Sequence, residues 1–170
     1  MKNIVLTGFM GTGKSEVSRE LSRILGWNSI DIDAEIEKSQ KMPITEIFRQ
    51  SGEPKFRDIE TETIKKFSGN KNVIISTGGG AVLRQENMDV LREKGVIVCL
   101  TARPETILQR TSKNNDRPLL QVDEPLRKIK ELLEFRRPYY EEADIMVDTE
   151  EKTPLKIAEE IVEKVTAWIR

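Results

Sequence analysis

The chain has 170 residues with 28 basic and 29 acidic side chains, one cysteine and no histidine, so no net positive field marks it for nucleic acid or an anionic lipid surface. A disulfide within the chain is excluded, and any general base must be Asp, Glu or Lys. The length suits one domain with its own core, and with no signal-peptide pattern and no apolar run near the ~20 residues of a membrane span, a cytoplasmic protein is expected.

The first predicted strand, Asn3–Thr7, runs into Gly8-Phe9-Met10-Gly11-Thr12-Gly13-Lys14-Ser15 and then a predicted helix over Lys14–Leu25. A glycine, four variable residues and Gly-Lys-Ser between strand and helix is the phosphate-binding loop pattern. Glycines at 8, 11 and 13 let consecutive N–H groups curl around an anion, and the helix start adds its positive dipole end. Lys14 can reach the β- and γ-phosphates, and the Ser15 hydroxyl can ligate the Mg²⁺ that travels with a nucleoside triphosphate.

A second strand over Asn28–Ile32 leads into Asp31-Ile32-Asp33. If the strand continues, residues two apart share a face, and both carboxylates address one site: one for Mg²⁺ and its waters, one for an attacking hydroxyl. The competing reading makes them the cap and first turn of a helix over Ala34–Lys41. Helices over Ile44–Ser51 and Glu53–Phe67 follow, the second carrying Arg57 beside Phe56; its guanidinium is either an anion clamp or a solvated charge.

The strand Asn72–Thr77 ends in Gly78-Gly79-Gly80, which is either backbone brought close to a substrate or a plain turn. A helix over Gln85–Glu93 precedes the strand Gly95–Thr101, where Cys99 reads as a small buried hydrophobe. After a helix over Pro104–Ser112, the polar segment 113–120 with Arg117 reads as a lid or as an exposed linker. Arg136 and Arg137 lie on a helix over Pro125–Glu142, ahead of the strand Ile145–Asp148 and a last helix over Pro154–Ile169. Strands alternating with helices imply a parallel sheet covered on both faces, with ligands at the carboxyl ends of the strands.

Taken together these residues resemble the bacterial and plant-type shikimate kinases, a branch of the P-loop kinases similar in fold to nucleoside monophosphate kinases. The resemblance rests on the phosphate loop, Asp31-Ile32-Asp33 with Ile36-Glu37, Ile47-Phe48 through Gly52-Glu53 to Phe56-Arg57 and Glu60, the triple glycine, Arg117-Pro118-Leu119, Arg136 with Pro138 and Tyr140, and Val147-Asp148-Thr149. It covers nearly the whole chain.

The resemblance implies a three-layer α/β/α P-loop kinase fold over residues 1–170, a five-stranded parallel sheet in the order 2-3-1-4-5, a substrate-binding region at about 33–61 and a mobile lid at about 112–124. It also implies phosphorylation of the shikimate 3-hydroxyl by ATP with Mg²⁺, in a monomer. Gly11, Thr12, Gly13, Lys14, Ser15, Glu16 and Arg117 would bind ATP, with Lys14 and Ser15 on its phosphates, and Arg110 with Pro154 would hold the adenine. Ser15, with Asp31 acting through water, would hold the metal; Asp33, Arg57, Gly79 and Arg136 would hold shikimate; Lys14, Asp33 and Arg117 would be catalytic. Glu16 departs from the small hydroxyl residue usual in that family. Among rival readings, gluconate and nucleotide kinases share the loop and lid, a switch GTPase needs an Asn-Lys-x-Asp segment that Lys71-Asn72-Val73 does not supply, and a non-catalytic binding module would be expected to lack Lys14, an acidic residue or Arg117, all of which are present.

Overall fold

The computed structural model describes residues 2–113 and 118–169. Five strands, β1 (Asn3–Thr7), β2 (Asn28–Asp31), β3 (Val73–Ser76), β4 (Gly95–Thr101) and β5 (Ile145–Asp148), form one sheet in the order β2-β3-β1-β4-β5. Every pairing is parallel, with Ile4 opposite Ile74 and Val96, Asn28 opposite Val73, and Val98 opposite Ile145. The expected order and direction are both borne out.

Burial follows position in the sheet. The central strands β1 and β3 are buried at every residue, whereas the edge strand β5 alternates buried and exposed and β2 is exposed or half-buried. Residues next to each other in a strand feed opposite cores. Ile4 and Leu6 pack with Ile74, Val96 and Val98 against the apolar faces of α1 (Lys14–Leu25) and α7 (Pro154–Ile169). Val5 packs with Ile75, Ile97 and Cys99 against α2 (Ile32–Gln40), α3 (Ile44–Ser68), α4 (Gln85–Lys94), α5 (Pro104–Thr111) and α6 (Pro125–Tyr140). Each such aliphatic side chain withdrawn from water contributes about 1.5–3 kcal/mol, so the two cores hold helices on both sides of the sheet. Cys99 is wholly buried, and its thiol is pushed up to about 11 by that burial, as a core residue and not a nucleophile.

Two local features differ from, or refine, the sequence reading. Strand β2 stops at Asp31, which caps α2: its carboxylate accepts from the Ala34 N–H at 3.2 Å, and Ile32 and Asp33 already belong to the helix. The strand alternation expected to align Asp31 with Asp33 is therefore absent. Helix α3 is two helices meeting at Gly52, whose φ of 79° and ψ of 169° suit only glycine. Pro54 then sits in the first turn of the second segment, where its missing N–H costs nothing.

Candidate active site

The phosphate loop leaves β1 with Gly8 at φ 128°, and a side chain on Gly8 would collide with the Leu100 carbonyl of the neighbouring strand. Gly13 caps α1 in a left-handed conformation without a side-chain bond, so the first N–H groups of the helix face the open cleft. Thr12 Oγ1 donates back to the Phe9 carbonyl at 2.8 Å and Lys14 Nζ donates to the carbonyls of Gly8 and Phe9 at 2.7 and 2.9 Å. The lysine therefore packs over its own loop here, poised beside the cradle.

The cleft at the carboxyl ends of the strands encloses about 630 Å³. Gly11 to Glu16, Asp31, Asp33, Thr77 to Gly79, Arg110 and Pro154 line it. Ser15 Oγ donates to Asp31 Oδ2 at 3.2 Å, so the same carboxylate that caps α2 faces the loop hydroxyl. One hydroxyl and one carboxylate at a phosphate cradle suit Mg²⁺, which keeps several waters and takes its remaining ligands from phosphate. At the opposite end of the cleft, Arg110 Nη1 bonds the Gly11 carbonyl and Thr149 Oγ1, both at 3.2 Å, while Thr149 Oγ1 donates to the Thr101 carbonyl at 2.8 Å. Arg110 and Pro154 both line this cleft.

A smaller cavity of about 60 Å³ adjoins this cleft, and Met10, Asp33, Ile44, Gly78 and Gly79 line both. Its walls hold a buried charge cluster. Arg57 pairs with Glu60 at 2.8 Å and with Glu53 at 3.2 Å, one turn either way along α3. Arg136, 2% exposed, lies over the Phe9 ring at 5.5 Å from α6. The Nε and Nη1 atoms of Arg136, Nε of Arg57 and Oε2 of Glu60 find no hydrogen-bond partner among the described residues. Donors left so at a cavity wall are costly unless a ligand takes them.

Glu60 is sealed from solvent, and burial pushes its carboxyl up to about 7, opposed by Arg57 and reinforced by Asp33. Burial acts against the Arg57 charge too, but two carboxylates outweigh it and Arg57 is held above its ordinary value. The triple glycine is what lets these groups meet. A Cβ on Gly78 would lie 2.9 Å from both Asp33 Oδ1 and Glu60 Oε2, and one on Gly80 would overlap the Arg57 guanidinium.

Residues 10–166 match the shikimate kinase family model. The chain belongs to the shikimate kinase family. A shikimate kinase of Thermodesulfovibrio yellowstonii is 51% identical over 164 residues, 96% of this chain and 95% of that protein. The structure of an Acinetobacter baumannii shikimate kinase in complex with shikimate superposes with a TM-score of 0.96 at 36% identity, covering 98% of this chain and 94% of that one. The Aquifex aeolicus shikimate kinase gives 0.85 at 38% identity over 97% and 96%.

Of the residues singled out in the sequence, Gly11 to Glu16, Asp31, Asp33, Arg57, Gly79, Arg110, Arg136 and Pro154 all line one or other of the adjoining cavities. Arg117 lies outside the described residues, though Leu119 beyond it lines the smaller cavity. Glu60 was not singled out as a site residue, although it pairs with Arg57. Its spacing of three from Arg57 on a predicted helix was the available signal. Among the described residues, no group of three or more acidic, cysteine or histidine side chains could hold a metal by itself, and no helix is long and apolar enough to cross a membrane.

Proposed function

We propose that the chain transfers the γ-phosphoryl group of ATP to the 3-hydroxyl of shikimate, giving shikimate 3-phosphate and ADP. The observation that carries this reading is the sharing of Asp33, Gly78 and Gly79 between a glycine-loop cleft and a pocket walled by Arg57 and Arg136. A phosphate donor and a carboxylate-bearing polyol can meet there.

Arg57 and Arg136 bind the shikimate carboxylate through guanidinium donors that nothing else occupies, and Gly79 lets the ring approach the backbone. Asp33 accepts from the 3-hydroxyl, aiming its oxygen at the γ-phosphorus. As that O–P bond forms, the bond to the β-bridging oxygen breaks and ADP leaves, while the hydroxyl proton passes to Asp33 or to water. In a loose transition state the proton leaves late, so orientation by Asp33 outweighs its basicity. Lys14 turns from its loop carbonyls to the transferring phosphoryl group, Arg117 reaches it as the lid closes, and Arg110 with Pro154 sandwiches the adenine. Ser15 and, through water, Asp31 would hold the Mg²⁺ that accompanies ATP, which would supply charge neutralisation to the transferring group.

We place the chain in the cytoplasm, where ATP is abundant. Its size and near-balanced charge suit a monomer. ADP release coupled to a spectrophotometric readout tests the activity. Release that requires shikimate, and is not supported by gluconate or nucleoside monophosphates, is the expected result; release indifferent to shikimate overturns it. Replacing Arg117 by Ala lowers kcat more than it changes ATP affinity in the binary complex, and the reverse pattern rejects the lid role.

A further inference from the structure

Tyr140 ends α6 four residues beyond Arg136, so the two side chains leave the same face of that helix. The ring is buried, and the hydroxyl donates to the Gly79 carbonyl at 2.6 Å, joining residues 61 apart in the chain. Burial pushes the phenol up to about 12, with Arg136 opposing the shift, so at neutral pH the hydroxyl keeps the proton it donates.

Gly79 occupies a tight place. A side chain there would lie 3.2 Å from the Met10 backbone nitrogen, 3.4 Å from Arg136 Nη1 and 3.5 Å from the Gly8 carbonyl. Gly80, next along, is pressed so close to the Arg57 guanidinium that a Cβ there would have to push it aside. The single peptide unit between Gly79 and Gly80 therefore spans the gap between the two arginines that face the acceptor pocket. Its only backbone or side-chain hydrogen bond among the described residues, beyond the turn that follows, is the one from Tyr140. A peptide unit is planar, so anchoring the Gly79 carbonyl also sets the direction of the Gly80 N–H. Two glycines in succession would otherwise leave that plane free to rotate.

We propose that Tyr140 is a positioning residue for the acceptor: its hydroxyl pins the Gly79–Gly80 peptide between Arg136 and Arg57 and so sets the spacing of the carboxylate clamp. This rests on the acceptor reading given above. Tyr140 does not line the pocket and acts only through the peptide and the arginines it holds. Tyr140 lines neither cavity, so nucleotide binding at Gly11 to Ser15 is expected to be spared.

The test is Tyr140→Phe, which keeps the ring and removes one hydroxyl. KM for shikimate rises about tenfold, the effect of one lost buried hydrogen bond, while kcat and the KM for ATP stay within about twofold. In ¹H–¹⁵N spectra of the variant the Gly79 and Gly80 amide signals move and those of β5 do not. A merely structural tyrosine would instead raise both KM values together or lower the melting temperature with no selective change; either result, or an unchanged shikimate KM, overturns the assignment. If the variant does not fold, the wild-type protein still decides: saturation with shikimate must shift the Gly79 and Gly80 amides and the Tyr140 ring signals, and their indifference overturns it. Wild type that fails to phosphorylate shikimate sinks the proposed activity; wild type that succeeds beside a variant of unchanged KM sinks only the role of Tyr140.

Discussion

The two ends of the cleft are built by different means. The nucleotide end is a nearly continuous stretch, Gly8 to Glu16, whose shape comes from positive-φ glycines and the start of α1. Lys14 and Ser15 there are only half-buried, and Glu16 is exposed. The acceptor end draws Asp33 from α2, Arg57 and Glu60 from α3, Gly79 from the loop after β3 and Arg136 from α6. Arg57, Glu60 and Arg136 are buried there, with Arg57 paired to Glu60. A local anion cradle needs only backbone conformation, whereas a pocket of buried charges exists only where several elements converge, because each charge alone would cost several kcal/mol to bury.

The largest expected effect lies at the nucleotide end. Lys14→Ala lowers kcat by a factor on the order of 10³ through lost stabilisation of the migrating phosphoryl group, with an unchanged circular dichroism spectrum. Near-normal turnover would break the contrast, since the phosphate loop would then matter little to chemistry.

At the acceptor end, Arg57→Ala or Arg136→Ala weakens shikimate binding by roughly 2–4 kcal/mol with no comparable change for ATP, as titration calorimetry would read. Arg57→Ala should also lower the melting temperature more than Arg136→Ala, because only Arg57 leaves a sealed ion-pair partner, Glu60, behind.

Burial of Glu60 sharpens the comparison through pH. Its folded-state value of about 7 lies above the ordinary 4.5, so the folded protein holds an extra proton between those values. The stability from this group is fully present below pH 4.5 and is lost as pH rises through about 7. Relative to Glu60→Gln, wild type should lose about 3 kcal/mol across that window in urea melts. Parallel pH profiles for the two proteins would show that Glu60 is already ionised in the fold. The smallest effect belongs to Arg110→Ala, which weakens ATP by about 1 kcal/mol and leaves shikimate untouched, as expected for one exposed cation stacked on a base.

Much of this was legible before any coordinates. The strands β1, β3 and β4 announce themselves as apolar runs because both faces are covered, and the phosphate loop is a local pattern in a local context. Asp31-Ile32-Asp33 shows where such reading runs out. A strand that ends one residue earlier turns an alternation argument into a capping argument, and both acids still reach the cleft because α2 begins at its rim. Residue types made Arg57 and Arg136 candidate anchors, yet nothing local distinguished them from the solvated Arg137 beside one of them. Family resemblance made that choice, and only the fold shows that both side chains are buried. The hydroxyl of Tyr140 on the Gly79 carbonyl had no sequence signal, since the two lie 61 residues apart.

By itself the chain of residues determined the phosphate cradle, the alternating strands and helices, and the buried cysteine, for each depends on backbone conformation or hydrophobic pattern within a few neighbouring positions. Only the folded arrangement decided which arginines lose their water, which glutamate shares their burial, and which peptide lies between them, because desolvation is a property of what surrounds a side chain in space.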